Sequence, residues 1–225
     1  MGNLIRIPQA VNFMPLFRVD KILNYLNYSL FPPLCALCGE PGRHGLDLCG
    51  LCQSEFPPCP QAMDMAAGSV LAGFTYAEPV AGLIQAFKFH DDLGAGRLLA
   101  RLASTALAGS TPQALIPVPL HISRLRQRGF NQALELARYW GRCRGIPVLP
   151  KALIRTRATR IQSSLPAPER RTNVTGAFQV SGALPAYVAL VDDVVTTGST
   201  SAEAAQALRL AGAERVDVWC LARVV

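Results

Sequence analysis

Residues 188–200, Val-Ala-Leu-Val-Asp-Asp-Val-Val-Thr-Thr-Gly-Ser-Thr, constrain this chain more than any other stretch. A short apolar run, rich in β-branched residues and bounded by turn signals, suits a strand covered on both faces of a parallel sheet. The run predicts a strand at Val188–Val191 with Asp192 and Asp193 at its carboxyl end, which is where open α/β sheets bind ligands. Thr196, Thr197, Gly198, Ser199 and Thr200 follow. Their backbone N–H groups can wrap a phosphate, and the helix after them presents its positive end. Gly198 permits the tight turn. Adjacent carboxylates accept hydrogen bonds from two neighbouring sugar hydroxyls, whereas a loop that merely caps a helix needs one such side chain. The ordered string therefore points to a pocket for a phosphorylated ribose.

The segment resembles the thirteen-residue signature of type I phosphoribosyltransferases. That resemblance implies that Asp192 and Asp193 contact the ribose hydroxyls of 5-phosphoribosyl-1-pyrophosphate. It further implies that the ligand lies along Val194, Val195, Thr196, Thr197, Gly198, Ser199 and Thr200, with the 5′-phosphate held by Thr196 to Thr200 and Mg²⁺ accompanying the ligand.

Half of the 225 residues are apolar and 16% are charged, enough to bury a full core and too few charges for extended disorder. No stretch reaches the roughly 18 apolar residues that cross a bilayer. Residues 1–34 lack the continuous apolar core of a secretory signal, so a cytoplasmic chain is expected. A segment around Val19–Leu30 reads as an amphipathic helix, able to pack on the protein or touch a membrane surface or partner helix. The formal charge of +7 comes from nineteen Arg against three Lys. Arg is the better bidentate phosphate ligand, and Arg124, Arg126, Arg128 and the stretch Arg155–Arg171 put charge near the expected pocket. Anionic small molecules or single-stranded nucleic acid suit that field, although no nucleic-acid reading motif occurs.

Cys35-x2-Cys38 and Cys49-x2-Cys52 form two knuckles separated by ten residues. Four thiolates in that spacing surround one tetrahedral Zn²⁺, with glycines supplying the turns. A structural zinc is expected, and four protein ligands leave no open position for catalysis. His44 and Cys59 lie close enough in sequence to replace one of the four. Cys143 and Cys220 read as small buried apolar residues.

Between knuckles and signature, strand-like and helix-like segments alternate as in a doubly wound α/β domain. Strands are expected at Val70–Tyr76, Ala114–Val118, Pro147–Ile154 and Arg215–Leu221. Helices are expected at Val80–Phe89, Arg97–Leu107, Asn131–Arg142 and Ser201–Ala211. The loop Pro119–Gln132 follows the first core strand, in the position of a pyrophosphate loop. Within it Gly129 lets the backbone approach closely and Arg128 offers a guanidinium. Lys88, between Phe87 and Phe89, either points at the ligand or snorkels from a helix; Phe87, Phe89 and Phe130 either stack on a ring or pack in the core. Residues 155–178 carry prolines and arginines without periodicity, as an active-site flap does, and Gln162, Arg170, Arg171 and Asn173 are its candidate ligand-facing residues.

Taken in order, the four-Cys knuckles, Lys88-Phe89-His90, Val118-Pro119-Leu120, Arg128 to Gln132, the Gln162 to Phe178 segment and the terminal signature resemble the ComF/GntX-like family over roughly residues 33–225. The resemblance implies an α/β type I phosphoribosyltransferase fold with a small N-terminal four-Cys zinc knuckle. The expected organisation is an amphipathic segment at 1–32, a zinc-binding subdomain at 33–62 and a phosphoribosyltransferase-like domain at 70–225. It also implies a role in natural transformation or use of external DNA, with a ComFA-like helicase and single-stranded DNA as partners. The implied chemistry is pyrophosphate-releasing transfer to an unidentified acceptor, with Asp192, Asp193, Arg128 and Lys88 as its residues; a non-catalytic ligand sensor or DNA-handling adaptor is the other reading.

Overall fold

The computed structural model describes residues 33–43, 45–59, 63–156 and 176–225. The amphipathic segment 1–32, His44, and Gln162, Arg170, Arg171 and Asn173 lie outside the described residues. The chain divides into two compact units, one running to Gly50 and the other from Leu51 to Val225.

In chain order the elements are α1 (Gly50–Ser54), β1 (Met63–Met65), β2 (Gly68–Thr75), α2 (Val80–Phe89), α3 (Leu93–Ala103), β3 (Ala114–Pro117), α4 (Ile122–Arg128), α5 (Gln132–Arg144), β4 (Leu153–Arg155), β5 (Phe178–Val180), β6 (Tyr187–Val195), α6 (Ser199–Leu210) and β7 (Arg215–Arg223). Five strands form one sheet in the order β1-β2-β7-β6-β3. β1 runs antiparallel to β2, and the remaining pairings are parallel. β4 and β5 form a separate antiparallel pair. The expected architecture, a mostly parallel sheet flanked by helices, is the observed one.

The central strands are apolar because helices cover both faces. Successive side chains of a strand point to opposite sides, so Val216, Val218 and Cys220 of β7 share a core cluster with Ala204, Ala205 and Leu208 of α6. Trp219, between them, faces the other way, edge-on to Trp140 of α5 at 6.1 Å between ring centroids. The Trp140 indole N–H donates to the Ala100 carbonyl of α3 at 2.9 Å. Beside Trp219, buried Asp217 is satisfied by Ser110, Tyr187 and Arg215.

Helix α2 starts and stops where its pattern predicts, burying Val80, Leu83, Ile84 and Phe87 at helical spacing. α3 begins four residues before the expected Arg97, since the Asp92 carboxylate accepts from the Ala95 N–H at 2.9 Å and caps it. The predicted strand Pro147–Ile154 is regular only at Leu153–Arg155, with an isolated parallel bridge from Val148 to Leu115. The segment Pro119–Gln132, expected as a loop, is in good part helix α4, capped by His121 and closed by Gly129 at φ +74°. Cys220 is buried as expected, whereas Cys143 is exposed, on the outer side of α5.

Candidate functional site

β6 extends four residues past the expected Val191, because its parallel register with β7 continues to Val195 opposite Arg223. Asp192 and Asp193 thus belong to the strand's last turns of pleat, and a cavity of about 370 Å³ opens over them. Its walls come from elements far apart in sequence: Lys88 of α2, Val118 and Leu120 after β3, Arg124 and Arg128 of α4, Arg155 of β4, and Asp192 to Thr196 with Gly198 to Ser201. Of the predicted site residues, the fold brings Lys88, Arg128, Asp192, Asp193, Val194, Val195, Thr196, Gly198, Ser199 and Thr200 to this one cavity. Gly129 and Thr197 do not line it; the Thr197 hydroxyl is turned onto the Ser199 hydroxyl at 2.8 Å.

The Thr196–Thr200 loop makes the glycine turn expected of it. Gly198 sits at φ +72° ahead of α6, where a side chain would be strained and a Cβ would meet the Met65 methyl at 2.7 Å. The two acids are held differently. Asp192 Oδ1 accepts the Asp193 N–H at 2.9 Å. Asp193 Oδ1 accepts the Val194 N–H at 2.6 Å and pairs with Lys88 Nζ at 2.9 Å. The second oxygen of each carboxylate makes no hydrogen bond among the described residues. Burial, then the neighbouring Asp193 charge, pushes the Asp192 carboxyl up to about 7, against the opposing pull of the Asp193 N–H, Lys88 and Arg155.

Opposite the acids, burial and then Arg128 lower the Arg124 pKa, while burial and then Arg124 lower that of Arg155. Crowded guanidiniums repel one another, and Arg124 Nη2 is buried with no hydrogen-bond partner among the described residues. An orphaned donor in a cationic wall is satisfied by an anion. Arg124 and Arg155 were not singled out as site residues in the sequence; the Arg clusters were the only signal, and nothing in them shows which side chains turn inward. Of the aromatic candidates, Phe87 is core, tilted against Phe130 at 5.6 Å, and Phe89 is exposed beneath the Arg128 guanidinium at 5.1 Å.

The second candidate centre is the knuckle. The sulfurs of Cys35, Cys38, Cys49 and Cys52 all lie within 4.8 Å of one another, and Cys38 and Cys49 are 3.7 Å apart. Zinc–sulfur bonds of about 2.3 Å in a tetrahedron set the sulfurs about 3.8 Å apart, so the group fits a metal ion such as zinc. Burial works against a Cys35 thiolate, yet hydrogen bonds from the backbone of Cys49, Leu37 and Cys38 hold that thiol down at about 6. Gly39, at φ +75°, makes the turn after the first knuckle and donates its N–H to the Cys35 carbonyl at 2.9 Å. Cys59 is not part of this group; it lies beside Arg223, and burial pushes its thiol up despite that cation.

The chain is 37% identical over 202 residues to competence protein F of Haemophilus influenzae, covering 85% of each sequence. It is 36% identical over 202 residues to the DNA utilization protein YhgH of Escherichia coli K12, again with 85% of each covered. The chain belongs to the ComF family. Competence protein ComFC of Streptococcus pneumoniae is a more distant ComF relative, 30% identical over 151 residues that span 67% of this chain and 66% of that protein. No protein-family model matches the chain. Among the described residues of this ComF protein, no helix is long and apolar enough to cross a membrane.

Proposed function

We propose that the cavity over Asp192 and Asp193 binds 5-phosphoribosyl-1-pyrophosphate together with Mg²⁺, and that the protein acts in the uptake or use of external DNA. The observation that carries the ligand reading is the pairing, in one cavity, of two carboxylates with a glycine-turned hydroxyl loop and four cationic side chains, Lys88, Arg124, Arg128 and Arg155. Six charged groups with an excess of positive charge suit a ligand that is anionic at more than one place and carries hydroxyls between. The biological reading rests on relatives named for competence and DNA utilization.

In this reading the open oxygens of Asp192 and Asp193 accept the two ribose hydroxyls, and the backbone of Thr196 to Thr200 holds the 5′-phosphate ahead of α6. Arg124, Arg128 and Arg155 meet the diphosphate on the first ribose carbon. Mg²⁺, when bound with the ligand, would supply positive charge against the diphosphate. If an acceptor attacks that carbon, its new bond replaces the bond to diphosphate, and the arginines stabilise the charge that leaves. Zinc in the knuckle, with all four ligands from the protein, is structural in this scheme.

The test is calorimetry of the zinc-loaded full chain with 5-phosphoribosyl-1-pyrophosphate and Mg²⁺, repeated on Asp192→Ala/Asp193→Ala, followed by a diphosphate-release assay with candidate bases. Binding that disappears in the double variant supports the pocket, and release with one base makes the protein a transferase. Failure of the folded wild type to bind overturns the ligand assignment.

A further inference from the structure

Arg128 ends helix α4 and Gln132 begins α5, and the turn at Gly129, whose N–H donates to the Leu125 carbonyl at 2.9 Å, brings their side chains together. The residues between them are pinned. Phe130 packs on Phe87 at 5.6 Å between ring centroids, and Asn131 Nδ2 donates to the Val118 carbonyl at 3.0 Å while its Oδ1 accepts the Ala133 N–H, also at 3.0 Å. Gln132 itself is 1% exposed and does not line the cavity over the two acids. Its Oε1 accepts from Arg128 Nη1 at 3.3 Å, and its Nε2 is buried with no hydrogen-bond partner among the described residues. Both facts have one cause. A guanidinium offers donors only, so the amide oxygen must face Arg128, and that orientation strands the amide NH2 inside the protein. A buried donor without a partner is destabilising, and an apolar side chain of similar shape would avoid the loss. Stability therefore does not explain a glutamine here; its hold on Arg128 does.

We propose that Gln132 is a positioning residue, which fixes the Arg128 guanidinium in the cavity wall for contact with the ligand's diphosphate. The inference rests on the phosphoribosyl reading of that cavity. Arg128 needs a hold because Arg124 shares the wall, and two neighbouring guanidiniums repel. Together with burial, that repulsion lowers the Arg124 pKa. A long side chain under such a push swings outward unless its far end is tied. Phe89 supports one flat face, with the guanidinium carbon 5.1 Å from the ring centroid, but a face lets the group slide and turn in its own plane. Gln132 supplies the restraint within the plane. With Nη1 held by the protein, Nε and Nη2 stay available for a bidentate contact whose geometry is set before the ligand arrives.

The test is calorimetry of the zinc-loaded full chain and of Gln132→Met, which keeps length and shape and removes the acceptor. The probes are 5-phosphoribosyl-1-pyrophosphate with Mg²⁺, inorganic diphosphate and ribose 5-phosphate. The variant should bind the two diphosphate probes about tenfold more weakly and ribose 5-phosphate as wild type does. It should also melt no lower than wild type, since the stranded NH2 is gone. In a double-mutant cycle Arg128→Met should weaken the same two probes, and adding Gln132→Met should weaken them no further. A Gln132→Met protein that melts lower and binds every probe less marks a merely structural glutamine and overturns the proposal, as do additive effects in the cycle. Nitrogen-15 NMR of the Arg128 guanidinium without ligand tests the hold apart from the ligand. Rotation about the Nε–Cζ bond should be slow in wild type and fast in Gln132→Met, and equal rotation in both overturns the proposal. A wild type that binds no probe yet shows the restrained guanidinium overturns the phosphoribosyl reading and supports Gln132 as the residue that positions Arg128.

Discussion

Asp192 should make the protein less stable than it need be, and the cost should appear only where the carboxyl is ionised. Burial and the adjacent Asp193 raise it from an ordinary 3.8 to about 7. The sign follows from proton linkage: between those values the folded state holds a proton that the unfolded state has released. The stabilising contribution of protonated Asp192 is thus full below 3.8 and is lost as pH rises through 7. At about 1.36 kcal/mol per pH unit the loss is capped at about 4 kcal/mol. Asp192 retains some contact with solvent at the cavity floor, so about 1–2 kcal/mol is the expected size. Asp192→Asn keeps an oxygen for the Asp193 N–H and removes the charge. For a chain of this size each kcal/mol moves the midpoint by about 2–4 °C. The variant should therefore melt roughly 2–8 °C above wild type at pH 8, with the difference closing as pH falls toward 4. Calorimetric melting of both proteins over that pH range decides it. A variant no more stable at pH 8, or one whose advantage is the same at pH 4 and pH 8, refutes the argument that burial and Asp193 strain this carboxyl.

The same proton must leave before Asp192 can accept from a ribose hydroxyl without competition, so affinity for 5-phosphoribosyl-1-pyrophosphate should fall as pH drops below about 7, approaching tenfold per unit; titrations from pH 6 to 8 read this directly. Trp140→Ala removes a fully buried ring that packs on Trp219 and donates to Ala100, and should cost about 3–5 kcal/mol in denaturant unfolding. Purified protein should carry one zinc ion at Cys35, Cys38, Cys49 and Cys52. Elemental analysis of Cys49→Ser should show that ion lost, while a Cys59→Ser variant keeps it.

The central strand, the signature loop and α2 are legible in the sequence because local chemistry alone decides them: β-branched runs, a glycine turn and apolar spacing every three to four residues. Elements set by tertiary context are less so. Helix α4 has three arginines in seven residues and no buried side chain, so no apolar periodicity marks it against a basic loop. The four extra residues of β6 come from pairing with β7, a partner the sequence does not name. β1 is only three residues long and pairs with β2 across a short turn. Cys143 failed a sound default, that free cysteine is buried, because its place on α5 falls on the outer face, four residues on from Tyr139 and beside Arg142.

Lys88 shows most sharply what sequence leaves undetermined. A lone lysine between two phenylalanines at a helix end has two readings, toward a ligand or out to solvent along its own stem. The structure gives it a different immediate partner, the Asp193 carboxylate at 2.9 Å, with both side chains mostly shielded from water. Two acids side by side on one strand repel, and the Asp193 charge adds to burial in driving Asp192 toward its protonated form. Lys88 neutralises one member of the pair, and the wall of arginines faces the other. The fold can therefore keep both carboxylates in a half-buried site only by surrounding them with cations. That same surplus of cations suits the anionic, hydroxyl-bearing ligand proposed for the cavity.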